Sequence, residues 1–91
     1  MYQLRDTEEY REDLEDLSGK HPGLQERLWR TVYYDLAINP YKGHYSERSE
    51  LWSIRQWIIT PVLLVQIAYD VDEQAKIVEL IGIRAVNTTR L

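Results

Sequence analysis

Two arginines in the second half of the chain, Arg55 and Arg84, are candidates to bind an oxyanion. Both are predicted to lie on or beside strands. A guanidinium is a planar fork of donors that fits a phosphate or a carboxylate with two hydrogen bonds. Together the two side chains are candidates to clamp a phosphate of a target or a carboxylate of a partner. The alternative is that each is an ordinary surface arginine, or the partner of nearby Glu79 or Asp70.

A polar segment, residues 41–50, carries the other candidates. His44 lies there between Lys42 and Arg48, and an imidazole can gain or lose a proton near neutral pH. His44 therefore joins the two arginines as a candidate catalytic residue, and the alternative is a solvated loop histidine. Lys42 and Arg48 suit target binding better than catalysis.

Trp52 and Trp57 lie on opposite faces of one predicted strand, because side chains alternate along a strand. Both cannot be core residues if the sheet is covered on one side only. An exposed ring can stack on an RNA base or anchor a peptide. The weak basic charge of the chain favours the peptide, so both tryptophans are candidate partner-binding residues.

The sequence predicts no metal and no cofactor. It has no cysteine, which removes thiolate zinc sites, disulfides and cysteine nucleophiles. It also has no HExxH motif, no paired histidines and no carboxylate cluster with metal-ligand spacing. The glycines form no loop of the kind that cradles phosphate.

Composition predicts one globular domain over residues 1–91, with 44% apolar and 29% charged residues. The longest apolar stretch, residues 58–69, is shorter than the ~20 residues that span a bilayer. The absence of cysteine fits a reducing compartment, so we expect a cytoplasmic protein that does not bind membranes. The net charge of −4 comes from residues 1–16, which hold seven acids and two arginines. The remainder is nearly neutral, which is a poor electrostatic footprint for general nucleic-acid binding.

The first half of the chain predicts a strand and two helices. Residues 2–5 read as a short strand, and Asp6 is the expected N-cap of the first helix. Pro22 is expected at the first position of the second helix, which Asn39 and Pro40 end. The apolar stripes of the two helices are expected to pack together and onto the sheet: Tyr10, Leu14 and Leu17 on the first, and Leu24, Leu28, Val32 and Leu36 on the second.

The second half predicts an antiparallel meander after a loop over residues 41–50. Strands are expected at 51–59, 62–69 and 77–83, with a hairpin loop at 70–74 and a polar, frayed tail from residue 87. The predicted fold is α+β in the order β-α-α-β-β-β. A helical hairpin would pack on one face of a mainly antiparallel sheet.

This plan resembles the RelE/ParE superfamily of small bacterial toxins. The resemblance is carried by the opening YQLRDTEEYREDLEDL, by AINP at the end of the second helix and by the KG-containing loop, followed by LWSIR and IVELIGIR. It implies the toxin of a toxin–antitoxin module, which an antitoxin protein neutralises in a hetero-oligomer; a homodimer is the other assembly considered. It also implies a target, either DNA gyrase or the ribosome with its messenger RNA.

The same resemblance places Arg55 and Arg84 where the RelE-like ribonucleases carry basic residues on the meander strands. Three features depart from that pattern: VLLVQIAY has no arginine, Ser53 stands at an often basic position, and no tyrosine or histidine follows Arg84. These departures favour a toxin that binds its target over a ribosome-dependent endoribonuclease. A non-toxic relative that acts only as a binding module is the third reading.

Overall fold

The structure is a computed structural model that describes residues 1–87, so most of the tail predicted to fray lies outside the described residues. Within this range no helix combines the length and the apolar character needed to cross a membrane. The elements are β1 (Gln3–Asp6), α1 (Glu8–Lys20), α2 (Leu24–Leu28), a π-helical segment (Trp29–Tyr33), α3 (Tyr34–Ile38), a 3₁₀ turn (Pro40–Lys42), β2 (His44–Ser46), β3 (Leu51–Ile59), β4 (Leu63–Asp72) and β5 (Ile77–Val86).

The strands form one mixed sheet in the order β1-β5-β4-β3-β2. The predicted meander is confirmed, since β3, β4 and β5 pair antiparallel, while β1 pairs parallel with β5. The prediction of a loop over residues 41–50 was wrong in part, because β2 lies within it and pairs with β3. All three residues of β2 are exposed, so no apolar alternation marked the strand in the sequence.

Both helices bury their predicted apolar stripes against one face of the sheet, which confirms the α+β prediction. The face of β4 that they cover carries Val65, Ile67 and Tyr69, each with no exposed surface. The helical side of the core consists of Tyr10, Leu14, Leu24, Leu28, Val32, Tyr33 and Leu36. We call the opposite side of the sheet the open face. The apolar stripes of the described helices pack on the other side, and Asp13 of α1 reaches the edge of the open face beside Gly82.

The first helix begins one residue later than predicted. Thr7, not Asp6, is the N-cap, and its hydroxyl accepts a hydrogen bond from the backbone N–H of Tyr10 at 3.2 Å. The same hydroxyl donates to the backbone oxygen of Leu80 at 2.8 Å. The cap therefore fixes the start of α1 to β5 as well as satisfying a free N–H group.

The second helix begins at Leu24 rather than at Pro22. Gly23 precedes it with φ of 82°, a left-handed conformation that glycine adopts without steric cost. His21 is the C-cap of α1, where its backbone N–H donates to the backbone oxygen of Leu17 at 3.0 Å.

A β-bulge in β5 decides which side chains reach the open face. Leu80 pairs with Tyr69 and Gly82 pairs with Ala68, so Ile81 is an extra residue on β5. Side chains normally alternate between faces, and one extra residue reverses that alternation. As a result Leu80 and Ile83 both face the helices, and the residue after Ile83 points to the open face.

Candidate functional site

The two candidate arginines lie in one row across the open face. Cross-strand pairing places Gln66 of β4 directly opposite Arg55 of β3 on one side and Arg84 of β5 on the other. Nη2 of Arg84 donates a hydrogen bond to Oε1 of Gln66 at 2.7 Å. We call Arg55, Gln66 and Arg84 the arginine row.

A shallow cavity of about 570 Å³ adjoins this row and gathers most of the predicted site. Arg84 lines a separate depression of about 160 Å³ together with Asp13 of α1, and Gln66 borders both the cavity and the depression. Arg48 lies in the turn between β2 and β3, apart from these residues. The larger cavity is lined by Lys42, Gly43, His44, Ser53, Ile54, Arg55 and Gln66.

The positive charges of the arginine row have no carboxylate partner among residues 1–87. Glu79, a partner considered for Arg84, pairs instead with Arg5 at 2.5 Å. Nζ of Lys42 lies 3.4 Å from Oδ2 of Asp35. Both side chains are exposed, so this ion pair contributes little to the stability of the fold in water. Asp13 lines the depression beside Arg84 but forms no ion pair with it, so both guanidinium groups stay available to a ligand.

Gly43 allows the loop to approach β3 closely enough to complete the cavity. A Cβ at this position would collide with the backbone oxygen of Ser53 and with the hydroxyl of Tyr69. That hydroxyl donates to the backbone oxygen of Pro40 at 2.7 Å, which holds the preceding turn. His44 pairs with Ser53, and its side chain consequently lies on the open face.

This arrangement can bind an oxyanion and exchange a proton beside it. The guanidinium groups and the ammonium of Lys42 suit phosphate oxygens, and the imidazole of His44 is a group that can donate or accept a proton. Among residues 1–87, no group of three or more histidine, aspartate or glutamate side chains is positioned to hold a metal ion.

The two tryptophans of β3 lie on opposite faces, as predicted. Trp57 pairs with Leu64, whose other neighbour is Val86, so an apolar row flanks the arginine row on the open face. Trp52 lies on the side of the helices, with its ring centroid 5.3 Å from those of both Tyr41 and Tyr45. Their partner-binding roles stay predictions.

A second polar cluster, which the sequence did not indicate, fastens the N-terminus to the turn between β4 and β5. Glu73 accepts hydrogen bonds from Lys76 and from the hydroxyls of Tyr2 and Tyr41. These bonds, that from Lys76 above all, lower the pKa of Glu73 to about 2. The carboxylate is fully engaged within the fold.

Gln66 is the functional candidate that sequence reasoning missed. The available signal was a single amide side chain within the otherwise apolar run from residue 63 to residue 69. Its significance depends on the register, because only the pairing shows that it separates the two arginines.

Comparison with known proteins identifies the fold. No family model matches the chain, and no curated protein matches its sequence. A chain of the toxin–antitoxin complex RelBE2 from Mycobacterium tuberculosis is similar in structure, with a TM-score of 0.75 and 20% identity over 93% of this chain and 98% of that one. A conserved hypothetical protein from Helicobacter pylori is similar with a TM-score of 0.60 and 15% identity, over 97% of this chain and 98% of that one.

Both matches cover nearly the whole of each chain, so this protein has a RelE-like α+β fold. The fold that the sequence resemblance implied is thereby confirmed.

Proposed function

We propose that this protein is the toxin of a toxin–antitoxin pair and that it binds its macromolecular target through the arginine row. The fold supports the first part, since one similar structure comes from a toxin–antitoxin complex. The convergence of Lys42, His44 and Arg55 on one cavity, with Arg84 joined to it through Gln66, carries the second part.

The local charge favours a phosphate-bearing target. The acidity of the chain is concentrated in the first 16 residues, and the apolar stripe of α1 packs on the other side of the sheet. Of this acidic segment, Asp13 reaches the depression beside Arg84. Binding follows the field at the contact surface rather than the net charge of the protein. We therefore propose RNA of the ribosome as the target. Evidence that the protein acts on DNA gyrase would contradict this proposal.

The antitoxin is proposed to cover the open face. Trp57 and Val86, both half-buried, flank the buried Leu64 and offer an apolar row directly beside the arginine row. A segment that anchors on this row would exclude the target from the arginines. Trp52 is the weaker anchor, because its ring already packs against Tyr69 at 6.4 Å between centroids.

Inducible expression in bacteria, with and without the product of the adjacent open reading frame, tests this function. We expect growth arrest that the neighbouring product relieves, with incorporation of labelled methionine falling before that of labelled thymidine. Earlier loss of thymidine incorporation would indicate gyrase. Unimpaired growth would leave a non-toxic binding module.

Cleavage of messenger RNA on the ribosome is the second candidate function. The observation that favours it is the position of His44 in the same cavity as Arg55, where an acid–base group and a phosphate-binding group meet. Primer extension on a translated messenger should show new 5′ ends with the wild type and none with His44→Ala. Absence of cleavage by the wild type would exclude this enzymatic role.

A further inference from the structure

Gln66 occupies the centre of the arginine row, half-buried between two flanking cations. It borders both the cavity that holds Arg55 and the depression that holds Arg84. The hydrogen bond from Arg84 at 2.7 Å uses its amide oxygen.

The chemistry of the two groups fixes which end of the amide faces which arginine. A guanidinium carries only donors, so the side of the amide toward Arg84 must be its oxygen. The NH₂ group then points away from Arg84, toward the strand that carries Arg55. No hydrogen bond from this NH₂ group is present among residues 1–87, so its two donors are available to a ligand.

The row consequently presents mainly donors. The amide oxygen of Gln66 accepts from Arg84, and the remaining groups of the row are N–H bonds of two guanidinium ions and one amide. The acceptors beside them are the second lone pair of that oxygen and the carboxylate of Asp13 at the edge of the depression. A ligand rich in acceptor oxygens satisfies the N–H groups of the row, and a ligand that leaves them without partners binds more weakly.

We infer that Gln66 is a positioning residue that makes this site prefer oxyanions, chiefly phosphate, by holding Arg84 and adding its own amide donors. This inference rests on the proposed function, which supplies RNA phosphates as the natural ligand. It goes further by assigning selectivity to an uncharged residue. The simpler reading, in which Gln66 is only a neutral neighbour of Arg84, makes different predictions for the variants below.

Titration of the full chain with inorganic phosphate, at constant ionic strength maintained with chloride, tests the inference. The readout is the ¹⁵N–¹H signals of the arginine side chains. In the wild type we expect saturable shifts of the Arg84 and Arg55 signals. In Gln66→Glu the new carboxylate accepts from both guanidinium groups, and the apparent phosphate affinity should fall at least ~tenfold.

Two further variants separate positioning from charge and from packing. Gln66→Met keeps the length of the side chain but releases Arg84, and should weaken phosphate binding about three- to tenfold.

Gln74→Glu adds the same negative charge in the turn between β4 and β5, away from the arginine row. It should change the phosphate affinity less than ~twofold, because solvent and salt screen exposed charges that are far apart. The backbone amide spectrum of each variant verifies that it is folded.

These experiments separate the role of Gln66 from phosphate binding by the arginines, on which the proposed function rests. If Gln66→Met binds phosphate like the wild type, or Gln66→Glu behaves like Gln74→Glu, the role of Gln66 is refuted and the arginine site stands. If phosphate leaves the arginine signals of the wild type unmoved, both the site and the proposed target fail together.

Discussion

The hydroxyl oxygens of Tyr10 and Tyr33 lie 2.5 Å apart inside the core, one from α1 and one from the π-helical segment. Tyr10 has no exposed surface and Tyr33 is 5% exposed. Burial raises the pKa of Tyr33 to about 12 and raises that of Tyr10 further. The pair is therefore a neutral hydrogen bond that joins the two helical elements.

Removal of either hydroxyl should destabilise the fold, because it leaves the other one buried without this partner. We expect Tyr33→Phe and Tyr10→Phe each to lower the free energy of unfolding by about 1–2 kcal/mol. The double variant should cost clearly less than the two single costs combined, since no orphaned hydroxyl remains. Urea denaturation measures all four proteins, and strictly additive losses would contradict the paired role.

Loss of an arginine from the row should weaken target binding without affecting the fold. Arg55→Ala and Arg84→Ala should each reduce affinity for the ribosome about tenfold, as expected for a charge-assisted hydrogen bond. The dependence of affinity on salt should also become less steep, because fewer phosphates are neutralised.

The matched control for these variants is Arg30→Ala. Arg30 lies on the helical side in an exposed pair with Glu26 at 2.6 Å, and its removal should leave binding unchanged. Equal effects of the three substitutions would mean that general charge, rather than the row, drives association.

The cluster around Glu73 should make stability depend on acid pH. The folded-state pKa of about 2 lies below the ordinary value of 4.5, so the carboxylate stabilises the fold above pH ~4.5 and this contribution is lost as pH falls toward 2. Glu73→Gln should therefore lower the melting temperature at pH 7, with a difference from the wild type that disappears near pH 2. Thermal melts from pH 7 to pH 2 measure this, with Glu47→Gln, an exposed turn residue, as the control. A difference that stays constant with pH would refute the explanation.

Two glycine substitutions should have opposite effects on stability. Gly43→Ala forces a methyl group against Ser53 and Tyr69 and should cost about 1–3 kcal/mol. It should also weaken target binding, because Lys42 and His44 lie on either side of the displaced residue. Gly19→Ala meets no atom within 4 Å and lies in α1, so it should stabilise by roughly 0.5–1 kcal/mol. Denaturation in guanidinium chloride measures the free energy of unfolding of both variants. A change in the same direction for both would contradict the steric argument.

The helices were predictable because their buried stripes depend on local periodicity. The spacing of Leu24, Leu28, Val32 and Leu36 is four residues throughout, longer than the 3.6 of an α-helical turn. The π-helical segment at Trp29–Tyr33 places more residues in a turn and helps to keep these side chains on one side. The strict four-residue spacing was thus a signal for the π-helical segment, although helix propensity alone does not predict it.

The site was less predictable because it depends on strand register. Arg55 and Arg84 could be selected by residue type, and His44 and Lys42 by their proximity in sequence. The role of Gln66 required knowing which residues oppose it across two strand pairs. The short strand β2 was hidden for a related reason, since it exists through pairing with β3 and carries no buried side chain of its own.

The bulge at Ile81, rather than the identity of its side chain, determines where Arg84 points. Exchange of Ile81 for another residue would preserve the spacing, so this position can drift in sequence while the site endures. Regular pairing of that residue, without the bulge, would continue the alternation from Leu80 and turn the cation toward the helices while Ile83 met water. The direction of every side chain that follows on β5 thus depends on one backbone irregularity, and substitutions that preserve it leave the site in place.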